Sequence, residues 1–171
     1  MLLNVCDDQI EERRSFMKLA ECLILRKDLQ VKLQQLRGQM RANVRVQEGD
    51  QPPVTPEDIV KEYQRKNQEL AKLITKINLT NAQVLIPELD ITLTEAIEMR
   101  EAARRDYQLL DEAVNSAQER QDLYSRSEIR QVSTIDLPEY HRRRDLAAKK
   151  IRQLDIAIQE TNWQTVMPEE V

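Results

Sequence analysis

Between Phe16 and Ala42, Cys22, Leu25, Leu29, Leu33, Leu36 and Met40 recur every three or four positions. That spacing gathers them on one face of an α-helix, whereas in a strand it would divide them between two faces. Leu19, Leu23 and Val31 widen the stripe beyond a narrow coiled-coil seam, so the helix needs more than one neighbour. Composition agrees. The 171 residues include two glycines, with 4% aromatic and 33% charged side chains, which suits long solvated helices better than a sheet rich in aromatic and β-branched residues.

The punctuation between helices is local and chemical. Residues 43–55 form the longest loop, because Gly49-Asp50-Gln51-Pro52-Pro53 lacks amide donors at both prolines and restricts the residue before each. A short extended piece or two-stranded ribbon around Val44-Arg45-Val46 is compatible with the alternation there. Thr55-Pro56-Glu57-Asp58 announces the second helix: a capping hydroxyl, a proline at the first helical position, and acids beside the free amides. Ile59, Tyr63, Leu70, Leu73, Ile74 and Ile77 carry it to about Val84, with Pro87 beyond its end. Thr92 and Glu95 have capping-box spacing at the start of a third helix faced by Ala96, Ala103, Tyr107, Leu110, Val114, Ala117 and Tyr124. Asp136 and Glu139 repeat that signal, with Ile135 and Tyr140 at staple spacing, before a fourth helix runs to Trp163.

The predicted fold is therefore all-α: an antiparallel bundle of about four long helices with a proline-containing loop after the first. Residues 17–165 form one helical domain, 166–171 a flexible tail, and 1–16 an N-terminal extension, either frayed or ordered with Asp8 and Glu11 as a capping box. Helices of this length span about 40 Å at 1.5 Å per residue. One chain drawn out that far is a thin rod with much apolar surface in water, which predicts a homo-oligomer.

Several function classes find no support in the residues. A di-iron carboxylate bundle needs two Glu-x-x-His motifs, and the one histidine, His141, belongs to none. It reads as a surface or interface histidine, and no metal or other cofactor is expected. Cys22 lies among Leu19, Leu23, Ile24 and Leu25 and reads as a small buried hydrophobe. No residue set specifies catalysis, and there is no glycine-rich phosphate loop. The net charge of −4 makes nucleic acid an unfavourable partner despite the basic run His141-Arg142-Arg143-Arg144, where Asp145 intervenes. The longest uncharged stretch, Ile77 to Pro87, is short of a membrane span, so no transmembrane segment is expected. The first residues lack a basic, apolar leader, so the expected location is cytoplasmic.

The most suggestive polar cluster runs from Arg120 to Arg130, where helical periodicity breaks. Arg120, Tyr124, Arg126 and Glu128 could hold a small anionic ligand through guanidinium forks at a free helix end, or could pin a bend or intersubunit contact. Asn78, Asn81 and Trp163, close to helix ends, are candidates for the same ligand-binding or organising network, since an asparagine in an apolar stripe can fix register.

Met17-Lys18-Leu19-Ala20-Glu21, Val46-Gln47-Glu48-Gly49, Ile77-Asn78-Leu79-Thr80-Asn81, Tyr124-Ser125-Arg126-Ser127-Glu128-Ile129 and Asn162-Trp163 occur together. As a set they resemble the septicolysin-like family of small bacterial proteins over about residues 17–165. The resemblance implies a helical protein without an assigned biochemical role and points to Asn78, Asn81, Tyr124, Arg126, Glu128 and Trp163. The family name implies a cytolysin, for which this sequence offers no membrane-insertion segment. Many members place glycine before the Leu-Thr that opens the third helix, whereas here Ile91 and Thr92 precede Leu93-Thr94.

Overall fold

The computed structural model describes residues 17–118 and 132–167. The fold is an all-α bundle of four helices among the described residues: α1 (Leu19–Asn43), α2 (Pro56–Gln83), α3 (Leu93–Gln118) and α4 (Leu137–Gln164). By contacts the described residues divide into two compact units, 17–84 with 160–167, and 85–118 with 132–159. Each is described by itself.

The first unit is built on the antiparallel hairpin of α1 and α2. Leu29 and Leu33 of α1 meet Leu70 of α2, with Leu25, Tyr63, Leu73 and Ile74 packed around them. Leu19 and Ile77 are wholly buried, each worth roughly 1.5–3 kcal/mol relative to exposure. The predicted stripe is thus the buried face of α1, whereas Val31, expected to widen it, lies open to water. At the start of α1 the carboxylate of Glu21 accepts from the Lys18 amide at 2.7 Å. The capping pair expected at Asp8 and Glu11 lies outside the described residues. At the other end Asn43 joins helix to loop, its amide nitrogen donating to the Gln39 carbonyl at 2.8 Å and its side-chain oxygen accepting from the Val54 amide at 3.3 Å. The ribbon entertained around Val44-Arg45-Val46 is absent: the Val44 amide instead donates to the Met40 carbonyl as a helix cap, and the loop turns at Gly49 with φ of 94°. Thr55 caps α2 as predicted, accepting from the Asp58 amide at 3.2 Å, with Pro56 at the first turn.

Backbone pairing completes this unit. The Leu19 amide donates to the Thr165 carbonyl and the Met167 amide to the Met17 carbonyl, both at 2.9 Å, and Lys18 bridges Val166 in antiparallel fashion. Met167 is buried.

The second unit opens with a short antiparallel ribbon that the periodicity did not announce, β1 (Leu85–Ile86) and β2 (Ile91–Thr92). Its turn runs through Pro87 and closes at Asp90, whose φ of 51° suits aspartate better than most residues. The amides of Leu89 and Asp90 both donate to the Ile86 carbonyl, at 3.1 and 3.0 Å. Thr92 then caps α3 reciprocally: the Glu95 carboxylate accepts from the Thr92 amide at 2.7 Å and the Thr92 hydroxyl accepts from the Glu95 amide at 3.2 Å. Leu93, Ala96, Ala103 and Val114 form the buried face of α3. Asp136 caps α4 by accepting from the Glu139 amide at 3.4 Å, but Glu139 does not reciprocate, since Arg142 occupies its carboxylate at 2.8 and 2.9 Å.

Candidate functional site

Of the polar residues singled out by sequence, Arg120, Tyr124, Arg126 and Glu128 lie outside the described residues. Asn78 is exposed and Asn81 half-buried on the last turns of α2, and Trp163 is 49% exposed on the last turn of α4. The deeply buried polar side chains in this region are their neighbours Thr80, Thr161 and Asn162.

The basic run on α4 is largely engaged by its own surroundings. Arg142 chelates Glu139, and the Arg143 guanidinium lies 5.4 Å from the Tyr140 ring centroid. Arg144 reaches Asp111 at 3.2 Å, and His141 Nε2 is 3.1 Å from Gln118 Nε2. The hydrogen bonds from Arg142 hold the Glu139 carboxyl below the usual carboxylate range, and the same contact raises the Arg142 guanidinium. Among the described residues no group of three or more histidine, cysteine, aspartate or glutamate side chains is placed to hold a metal ion. Burial and Glu21 push the Cys22 thiol up, opposed by Lys76, so the thiol is a packing group rather than a ready nucleophile.

The feature best suited to a function is an apolar groove along α3 and α4. Three interhelical ion pairs set its register. Arg100 meets Asp155 at 3.0 Å, Arg104 meets the same carboxylate at 3.6 Å, and Asp111 meets Arg144 at 3.2 Å. These antiparallel pairings place Leu109 level with Leu146 and Asp106 level with Lys150. Asp106, Leu109, Leu110, Arg143, Leu146 and Lys150 line a hollow of about 410 Å³. Lys150 also borders a second hollow of about 430 Å³, lined by Leu89, Ile91, Met99, Gln153 and Leu154. The two hollows share that lysine in their linings. Leu109 is 67% exposed and Leu146 53% exposed, each beside a partly buried apolar neighbour, Leu110 and Ala147.

Sequence reasoning placed Leu110 on its helix face but passed over Leu109 and Leu146. The signal available was the doubling itself. Adjacent apolar residues on a helix are about 100° apart, so the second of each pair looks off the core face.

A smaller groove of about 350 Å³ lies at the loop end of the α1–α2 hairpin, lined by Leu36, Met40, Ile59 and Val60 with Arg37 and Tyr63. Arg37 donates to the Tyr63 hydroxyl from Nη2 at 2.9 Å and sits 5.6 Å from the ring centroid, closing one side. No described helix is long and apolar enough to cross a membrane.

The chain belongs to DUF6847, a family of unknown function, which it matches over residues 26–167. Among solved structures it is similar to the crystal structure of a functionally unknown conserved protein from Corynebacterium diphtheriae. The two share 38% identity over 89% of this chain and 99% of that one, with a TM-score of 0.82. No curated protein matches.

Proposed function

We propose that this is a self-associating helical protein whose role is structural or interactive rather than catalytic. The observation that supports it is the pair Leu109 and Leu146, level with one another on neighbouring helices and both more than half exposed along an apolar groove. Leaving such a groove in water forfeits roughly 25 cal/mol for each Å² of apolar surface, and a partner face recovers it. Its lining sets Asp106, Arg143 and Lys150 beside Leu109, Leu110, Leu146 and Ala147, a mixture of both charge signs with apolar side chains that suits an interface. Sedimentation velocity of the full chain tests the reading. The expected species at micromolar concentration is heavier than the 20.1 kDa of one chain, and a monodisperse monomer across that range would overturn it.

The alternative is an anion-binding protein or enzyme using Arg120, Tyr124, Arg126 and Glu128. Titration calorimetry with phosphate against the full chain and its Arg126→Ala variant separates the two. Binding lost on that substitution, in a chain that is monomeric throughout, favours the alternative.

A further inference from the structure

We propose that the α3–α4 groove receives the same groove of a second copy, in one specific arrangement. Each α3 lies on the other copy's α4, giving an intermolecular four-helix bundle about a two-fold axis parallel to the helices. This rests on the self-association reading and specifies the surface and its geometry.

The groove calls for a helical occupant. The α3 residues that line its two hollows run from Met99 to Leu110, about 16 Å of helix at 1.5 Å per residue. Its lining sets the exposed Leu109 and Leu146 beside the small, partly buried Ala147. That relief suits knobs from a second helix pair carrying the same pattern.

Charge then selects among the ways of stacking two copies. The ion pairs Arg100–Asp155 and Asp111–Arg144 set the levels: Asp106 with Lys150, Leu109 with Leu146 and Ala147, Glu112 with Arg143. A two-fold axis parallel to the helices preserves level while exchanging α3 for α4. Asp106 of one copy then faces Lys150 of the other, Glu112 comes level with Arg143, and Leu109 comes level with Ala147. Every neighbouring helix in the resulting bundle is antiparallel. An axis across the helices at the level of Leu109 and Leu146 instead stacks α4 on α4 with levels reversed, bringing Arg143 against Lys150. Like charges at that position oppose the arrangement. Asp106, Glu112 and Lys150 are exposed and make no ion pair among the described residues, so their charges are available to a partner.

The test is charge reversal in the full chain. Asp106→Lys alone sets lysine against lysine twice across the two-fold, and Lys150→Asp alone sets acid against acid twice. Each is expected to weaken self-association about tenfold or more, with helical content unchanged. Mixing the two reversed chains restores both attractive pairs, so sedimentation equilibrium of the mixture should recover the wild-type constant. Leu109→Glu, at an exposed position, should disperse the complex without unfolding the chain. Reversals that weaken assembly with no recovery on mixing overturn the α3-on-α4 arrangement. A wild-type oligomer unmoved by all three substitutions overturns this face as the interface and leaves self-association standing. A wild-type monomer overturns both.

Discussion

Asp155 on α4 accepts a hydrogen bond from Arg100 on α3 at 3.0 Å and lies 3.6 Å from the Arg104 guanidinium, so one carboxylate ties two successive turns of α3. The Arg100 side chain is only 19% exposed and also reaches Glu101 at 2.8 Å. Its charge is therefore partly desolvated, and removing its interhelical partner costs more than breaking a surface pair. Asp155→Asn keeps the shape and removes the charge, with an expected loss of about 1–2 kcal/mol. The urea midpoint should fall with an unchanged slope. Lys61→Ala supplies the contrast. Its 3.9 Å pair with Glu57 has both side chains well exposed, and its loss should stay within about 0.5 kcal/mol.

The cap on α3 makes stability depend on pH in a defined direction. The Thr92 amide, then the Thr92 hydroxyl, hold the Glu95 carboxyl below its ordinary value of 4.5. A carboxylate depressed in the folded state binds its proton more readily when unfolded. Its contribution is complete above the unfolded value and is lost as pH falls through the lower folded value. Glu139, lowered by Arg142, acts in the same direction. Differential scanning calorimetry of Glu95→Gln should show a lower midpoint than wild type at pH 6, with the gap closing toward pH 3. A gap that stays constant with pH would mean that the ionised carboxylate is not what caps the helix.

These caps were legible in the sequence because each is a local matter. Thr55-Pro56 and Thr92 with Glu95 need only a few residues to declare themselves, and the α1 stripe needs only its own period. The Ile86–Ile91 pairing was not legible: two-residue strands are too short to show alternation, and burial of Ile86 depends on what packs over it. Nor could spacing reveal Arg100 and Asp155, which lie 55 positions apart. The groove was half visible. Leu110 fell on its helix face, but Leu109 and Leu146 gained meaning only once the ion pairs placed them level. At Glu139 the spacing was right for a reciprocal cap, and a nearby arginine won the carboxylate instead.

Thr80 offers a prediction that runs against the usual cost of core substitution. Its hydroxyl oxygen is buried with no hydrogen-bond partner, although its backbone carbonyl accepts from the Val84 amide at 2.9 Å. A buried hydroxyl without a partner carries a desolvation cost that an isosteric methyl does not. Thr80→Val should therefore raise the thermal midpoint, by the equivalent of about 1 kcal/mol. A fall of similar size would show that the hydroxyl is bonded in solution. Ile77→Ala, one turn earlier and wholly buried, should lose about 2–5 kcal/mol in the same assay.

The chain's two glycines should respond in opposite directions to the same substitution. Gly38 lies within α1, and an added Cβ would meet nothing within 4 Å. Alanine there restricts the unfolded chain and favours the helix, so Gly38→Ala should stabilise by about 0.5–1 kcal/mol. Gly49 also has open space around it, but its φ is +94°. The cost of Gly49→Ala therefore comes from the backbone rather than from a clash, and should be about 1 kcal/mol destabilising. Because neither side chain meets a neighbour, the pair isolates backbone conformation from packing. Equal and favourable shifts at both positions would mean that the turn at Gly49 relaxes to negative φ without loss, and that the loop between α1 and α2 does not depend on it.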